Sequence, residues 1–349
     1  MNDFCLSRYD TEFLQTSVLA SGMFGTVKLA RHRLDGTDYA IKVNNTALKP
    51  GSSAEKKIMN EVFAHASLNN SQHVVRYFNS WVEEGYVYIQ NEFCNGGSYS
   101  QMIDQRRESG EHFTEEELLT TMAHCLKGLK YIHGMQMAHM DIKPENILVS
   151  LDRSLEGTDV SIDSGAESDD PSSLMEKMEL REALGADTKV VQTFKIGDLG
   201  HITSVVDSSL GEAEEGDCRY MADELFRFEK DRSKLQKADI FSLGLTMFEA
   251  ASLLTLPKNS LDTQPNNSLY AQIRLEGTLP FLDKYSRRFN NILKSMIRVL
   301  PDARPTASKL LKQVSSINKN RTDAQLSMDL IESQKKLEEL QKALLQSQQ

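Results

Sequence analysis

No stretch of this 349-residue chain contains the roughly 18 consecutive apolar residues that a membrane-crossing helix needs. The opening residues, MNDFCLSRYD, lack both a basic start and an apolar run, so no secretory leader is expected. Cysteine is sparse. Cys5, Cys94, Cys125 and Cys218 are scattered without a C-x-x-C pair, which argues against a zinc site and for reduced thiols inside a cell. Basic charge is short as well: 40 Lys and Arg stand against 50 Asp and Glu, a net charge of −10. That balance disfavours bulk nucleic-acid binding, which needs a basic face to neutralise phosphates. Nothing matches G-x-x-x-x-G-K-[ST], so a P-loop nucleotidase is not supported. A soluble intracellular protein is expected, with neither nucleic acid nor membrane as partner.

What is present suits a packed domain: 40% hydrophobic and 26% charged residues. Residues 13–43 and 73–93 hold short β-rich runs such as GTVKLA and YVYIQNEF. Between them, Ser52-x-x-Glu55 reads as a capping box opening a helix to about Leu68. After Gly97 the pattern turns helical. Thr114-x-x-Glu117 caps a segment with Leu118, Leu119, Met122, Leu126, Leu129 and Ile132 on one side, a 3.6-residue period. Residues 237–252, 286–300 and 306–316 also read as helices. The fold class is therefore α+β, a small β-rich lobe with one helix followed by a mostly α lobe. Residues 151–193 carry eleven Asp and Glu against four Lys and Arg and are expected to be a disordered acidic insertion, EKMELREAL forming at most a turn or two of helix. A solvated insertion and a regulatory one rich in serine are equally open readings. Leu326, Leu330, Leu337, Leu340 and Leu344 suggest a C-terminal helix that docks or pairs weakly, the protein being otherwise a monomer.

Four separated pieces carry chemistry. LASGMFGTV (Leu19, Ala20, Ser21, Gly22, Met23, Phe24, Gly25, Thr26, Val27) places two glycines between strand-like runs, where a hairpin backbone can approach phosphates closely. Ala20 stands where the first glycine of G-x-G-x-x-G belongs, and alone the piece reads as a plain turn. YAIK puts Lys42 in a strand, and Glu61 lies on the following helix; such a pair can orient a cation toward the α- and β-phosphates of ATP. HMDIKPENI supplies Asp141 to accept or orient a substrate hydroxyl proton, Lys143 to neutralise charge on the transferred phosphoryl group, and Asn146 to ligate magnesium. KIGDLG adds Asp198 at the exit of a strand, a second hard oxygen ligand for Mg2+.

With these in order, the chain from about Phe13 to Val314 resembles a eukaryotic protein kinase, and more closely the Wee family of mitosis-inhibiting kinases. The words that carry the resemblance are RYFNSWVEEG, IQNEFCNGGS, HMDIKPENI, FKIGDLGHIT, EEGDCRY and KADIFSLGLT. It implies a bilobal fold, with a lead over 1–12, lobes over 13–95 and 96–314, and a tail over 315–349. It implies that residues 19–27 cover the nucleotide phosphates, that Asn91 is the gatekeeper, and that Glu92 and Cys94 offer backbone groups to adenine. It further implies a Glu224–Arg304 pair and an Asp239 bonded to the catalytic-loop backbone. The implied substrate is a tyrosine in the glycine-rich loop of a cyclin-dependent kinase bound to its cyclin, and the implied location is the nucleus. The family usually carries a long regulatory region ahead of this segment.

Two departures matter. Met140 occupies the position where most kinases have an arginine that receives a loop phosphate. The loop would instead be ordered by its own carboxylates, Asp207, Glu212, Glu214, Glu215 and Asp217, and need no phosphorylation. The pattern D-x-K-x-x-N, read alone, points to serine or threonine rather than tyrosine. Ala20 and Met140 also leave room for a pseudokinase scaffold, although Lys42, Glu61, Asp141, Asn146 and Asp198 are all retained.

Overall fold

In DYAIKV, Tyr39 and Ile41 are buried on one face of a strand, which leaves Ala40 and Lys42 on the other. That alternation seats Lys42 over the cleft while its neighbours form core. The computed structural model of the protein describes residues 7–22, 25–154, 189–206, 216–226, 231–256 and 269–317. A short helix, α1 (Arg8–Glu12), leads into strands β1 (Phe13–Gly22), β2 (Gly25–His32), β3 (Asp38–Val43), β4 (Tyr77–Glu83) and β5 (Tyr86–Glu92). They form one antiparallel sheet in the order β1-β2-β3-β5-β4. One face is closed by Tyr9, Phe13, Ala30, Tyr39 and Ile41, with Trp81 stacked between Phe13 (5.9 Å) and Tyr88 (5.1 Å). Helix α2 (Ser53–Ser67) packs through Ile58 and Val62 near Val87 and Ile89. Its start differs slightly from the expected box. Ser52 Oγ accepts from the Glu55 N–H at 3.1 Å, but the Glu55 carboxylate reaches back to the Gly51 N–H at 2.6 Å rather than to Ser52.

The second lobe is helical because its apolar positions recur at the helical period. Helix α3 (Tyr99–Ser109) and helix α4 (Glu115–Gly134) both open with complete capping boxes. All six apolar residues predicted to share one side of α4 are buried. Strands β6 (Met137–Ala138) and β9 (Thr203–Ser204) pair, as do β7 (Ile147–Ser154) and β8 (Lys189–Ile196). Helix α5 (Leu235–Ser252) is buried almost all round, the pattern of a helix at the centre of a lobe. Helices α6 (Leu269–Glu276), α7 (Arg287–Met296) and α8 (307–317) complete it. Arg304, 1% exposed, meets Glu224 through two parallel bonds of 2.5 and 2.9 Å, as the resemblance implied.

The acidic insertion is narrower than composition suggested. Residues 151–154 and 189–193 are not part of it; they are paired strand, in register from Ile147↔Ile196 to Ser154↔Lys189. Charge counting blurred the edge, whereas KVVQTFKI keeps the period-two pattern that buries Phe194 and Ile196. Residues 155–188, with EKMELREAL, and the leucine-bearing tail beyond 317 lie outside the described residues. Among those described, no helix is long and apolar enough to cross a membrane.

Candidate active site

The catalytic loop is held from below by one carboxylate. Asp239, on the buried face of α5, accepts from the His139 N–H at 2.8 Å, the Met140 N–H at 2.9 Å and His133 Nε2 at 2.9 Å. Two of these bonds hold the loop backbone directly where Met140 takes a left-handed φ of +71°, a conformation that disfavours side chains, and His133 steadies the carboxylate. His139 is fixed in turn. Its Nδ1 accepts from the Asp141 N–H at 3.3 Å, so Nε2 carries the proton toward the Gly197 carbonyl at 3.0 Å.

Asp141 presents both oxygens to donors. Lys143 Nζ lies 2.7 Å and Asn146 Nδ2 2.9 Å from Oδ2, while the Asp217 N–H reaches Oδ1 at 2.8 Å. Asn146 also donates to the Asp141 carbonyl, which turns its amide oxygen away from these bonds. The Asn146 carbonyl accepts from the Gly197 N–H at 2.8 Å, and so ties the catalytic loop to the strand end that presents Asp198.

On the opposite wall, Lys42 Nζ lies 2.5 Å from Glu61 and 3.1 Å from Asp198. Glu61 is 4% exposed and Asp198 41%, so Glu61 anchors the ammonium and Asp198 keeps a face open to the cleft. Burial works against the charge on Lys42, but Glu61 and Asp198 outweigh it and hold the ammonium above its ordinary range. Burial likewise acts to raise Asp198, and Lys42 reverses that, holding the carboxyl well below the usual range. Burial pushes the Glu61 carboxyl up, with Lys42 opposing. The ammonium and the Asp198 carboxylate are therefore both charged at neutral pH.

The roof is the β1–β2 hairpin. Gly22 pairs with Gly25, and Val27 with Lys42. Met23 and Phe24 lie outside the described residues. Leu19, Ala20, Ser21 and Gly22 are exposed, Thr26 and Val27 half-buried. Gly25 is required here, since a Cβ on it would stand 2.6 Å from the Val43 carbonyl oxygen. At the back, the Asn91 side-chain oxygen is buried with no hydrogen-bond partner. The Cys94 N–H has none among the described residues either. Glu92 spends its carboxylate on Lys195 (2.7 Å) and its N–H on the Arg76 carbonyl. Burial, then Glu92, pushes the Cys94 thiol up to about 12, so it stays protonated and contributes main chain only.

This donor set fits magnesium-bound ATP. The Asn146 amide oxygen and the Asp198 carboxylate are hard oxygens, and no group of three or more His, Cys, Asp or Glu among the described residues could hold a metal by itself. Two protein oxygens, completed by phosphates and water, is the usual arrangement for magnesium. The orphaned Asn91 oxygen and the free Cys94 N–H give a planar base two polar groups to meet.

Comparison with known proteins agrees with the geometry. The protein kinase domain family matches residues 13–314. The chain is 38% identical over 346 residues to a Wee1-like protein kinase of Drosophila melanogaster, covering 99% of this chain and 52% of that protein. It is 40% identical over 307 residues to Wee1-like protein kinase 2 of Ailuropoda melanoleuca, covering 88% and 49%. Wee1-like protein kinase 1-B of Xenopus laevis is 39% identical over 344 residues, covering 98% and 52%. The chain belongs to the Wee family of protein kinases. It spans about half the length of these relatives.

Within this Wee-type kinase domain the structure adds a residue that sequence reasoning passed over. Arg219 Nη2 bonds Asp217 at 2.6 Å and Glu145 at 3.0 Å, with Nε 3.0 Å from Asp217. Burial acts to raise Asp217, yet Arg219 holds it below its ordinary value. The guanidinium absent at Met140 thus has a counterpart placed in reverse: the cation sits on the loop and a carboxylate, Glu145, on the catalytic segment. Of the five loop carboxylates named from the sequence, Asp217 takes part; the other four lie outside the described residues. The D-x-R spacing of GDCRY was the only local hint, because Glu145 is 74 positions away.

Proposed function

We propose that this domain is an ATP- and magnesium-dependent protein kinase that phosphorylates a tyrosine in the glycine-rich loop of a cyclin-dependent kinase bound to its cyclin, restraining entry into mitosis from within the nucleus. The observation that carries the catalytic part is the Asp141 carboxylate, held by Lys143, Asn146 and the Asp217 N–H across the cleft from an intact Lys42–Glu61 pair. Asp141 orients the incoming hydroxyl and takes up its proton. Lys143 meets the charge on the group in transfer. Lys42 holds the phosphates, and Asn146 and Asp198 hold the metal. When bound, magnesium-ATP supplies the phosphoryl group and part of the charge neutralisation. The tyrosine and the cyclin-dependent kinase rest on the Wee resemblance. A phosphate there adds about −1.5 to −2 charge beside the target's own ATP site.

Lys143, only 2.7 Å from Asp141, favours a second reading, serine or threonine as acceptor. Incubation with a cyclin-bound cyclin-dependent kinase and magnesium-ATP, followed by mass spectrometry, separates the two. Phosphotyrosine in the glycine-rich loop is expected; phosphate confined to serine or threonine would support the alternative. Equal incorporation by wild type and Lys42→Met would favour a scaffold. Because Arg219, Asp217 and Glu145 supply their own charge pairing, phosphatase treatment should leave turnover unchanged, whereas Arg219→Ala should lower it.

A further inference from the structure

A second recess lies away from the cleft, where the N-terminus of α4 meets α3 and β8. It encloses about 270 Å3. Met102, Phe113 and Phe194 make its apolar floor, and Gln192 Nε2 donates to the Met102 sulfur at 3.5 Å, which fixes that side chain in place. Glu116 and Glu117 stand at the rim.

The rim carboxylates are not equivalent. Glu117 is committed to the fold: it accepts from the Thr114 N–H at 2.6 Å and from Arg106 at 2.7 Å. Glu115 accepts from Ser286 at 2.6 Å. Glu116 is exposed and has no hydrogen bond or ion pair among the described residues. A carboxylate in a first helical turn is favourable in general, but two already serve there, and the third is surplus to the fold. The stretch EHFTEEE carries four Glu and no Lys or Arg. The neighbouring Arg106 is already offset by Glu117 and Glu111. An apolar recess is thus set beside an uncommitted carboxylate on a chain that is itself acidic.

We propose that this recess docks a basic peptide segment of a protein substrate, one aliphatic side chain entering between Met102, Phe113 and Phe194 and a Lys or Arg meeting Glu116. The segment is distinct from the phosphorylated site, so docking raises the local concentration of the acceptor at Asp141 without touching it. This rests on the kinase reading for its purpose but not for its detection.

The test uses the full chain and fluorescein-labelled twelve-residue peptides with three arginines and one leucine at varied spacing, read by anisotropy without ATP. At least one spacing is expected to bind, and to weaken about tenfold between low and high salt. Glu116→Lys should weaken it about fivefold and Met102→Glu more, while matched peptides with glutamates for arginines do not bind. In phosphotransfer, Glu116→Lys should raise KM for an intact protein substrate carrying the segment and leave kcat on a short tyrosine peptide unchanged. Failure of every basic peptide to bind, or binding indifferent to Glu116→Lys and Met102→Glu alike, would overturn the proposal. Binding without any phosphotransfer would instead overturn the kinase reading and leave the docking site standing.

Discussion

The lower and upper walls of the cleft are held by different forces. Below, a single buried carboxylate, Asp239, collects three donors, and Asp141 is fixed through both its oxygens. Above, strand β1 is exposed from Leu14 to Gly22 and carries two register shifts. At its end, among the described residues, Asn45 donates to the Gly22 carbonyl at 2.7 Å and Ser21 bonds the Thr26 hydroxyl at 3.3 Å. A strand with no buried face gains little from the hydrophobic effect and keeps its place by ladder bonds. On the proposed function, the contrast follows from the work each wall does. Proton and phosphoryl transfer need reacting groups placed within tenths of an ångström, whereas a roof over a nucleotide must let it in and out.

The largest effect expected is at the lower wall. Asp141→Asn should cut kcat about 100- to 10,000-fold while the melting temperature barely moves, because the amide keeps the shape and loses the base. Comparable turnover in that variant would show that Asp141 merely orients.

Asp239→Ala should destabilise the domain by about 3 kcal/mol or more, since it strands three buried donors, and urea unfolding would measure this. A loss under about 1 kcal/mol would mean the catalytic loop is anchored otherwise.

Two glycines sharpen the picture of the roof. Gly25→Ala drives a Cβ into the Val43 carbonyl and should raise KM for ATP several-fold, whereas Gly22→Ala meets nothing within 4 Å and should change it little. Equal effects would indicate that the hairpin relaxes as a unit.

The smallest effect is in pH. Burial, then Lys42, pushes His65 of α2 down to about 3, and burial, then the stacked His73, pushes His124 of α4 down to about 4. Unfolded, both would titrate near the ordinary 6.5, so between those values the unfolded chain binds more protons. Stability should be full above about pH 6.5 and fall as pH drops toward 4, lowering the melting temperature by several degrees between neutral pH and pH 5. A melting temperature flat over that range would mean that one or both imidazoles titrate normally.

Much of this was readable in advance. Lys42 and Glu61 could be paired from a strand and a helix, and the run from Asp141 to Asn146 is short enough to show its own geometry. Other parts were not. The half-box at Ser52 turns on which backbone N–H a flexible glutamate reaches. The insertion boundary near 154 and 189 was hidden because composition averages over a window, while pairing is decided residue by residue. Arg219 was overlooked because its meaning lies in Glu145, on another segment.

By itself, then, the amino-acid sequence determined the alternation of β3, the capped helices α3 and α4, and the residue types on offer for phosphoryl transfer. These depend on near neighbours, through the periods of 2 and 3.6 that backbone sterics impose. Only the tertiary structure decided that His133 would join the loop N–H groups on Asp239, that Lys42 would meet an Asp198 that is 156 positions distant, and that Glu116, with no ion pair among the described residues, would stand beside an apolar recess. Such contacts depend on where packing brings remote segments, and a buried or surplus charge takes its meaning from what surrounds it in space.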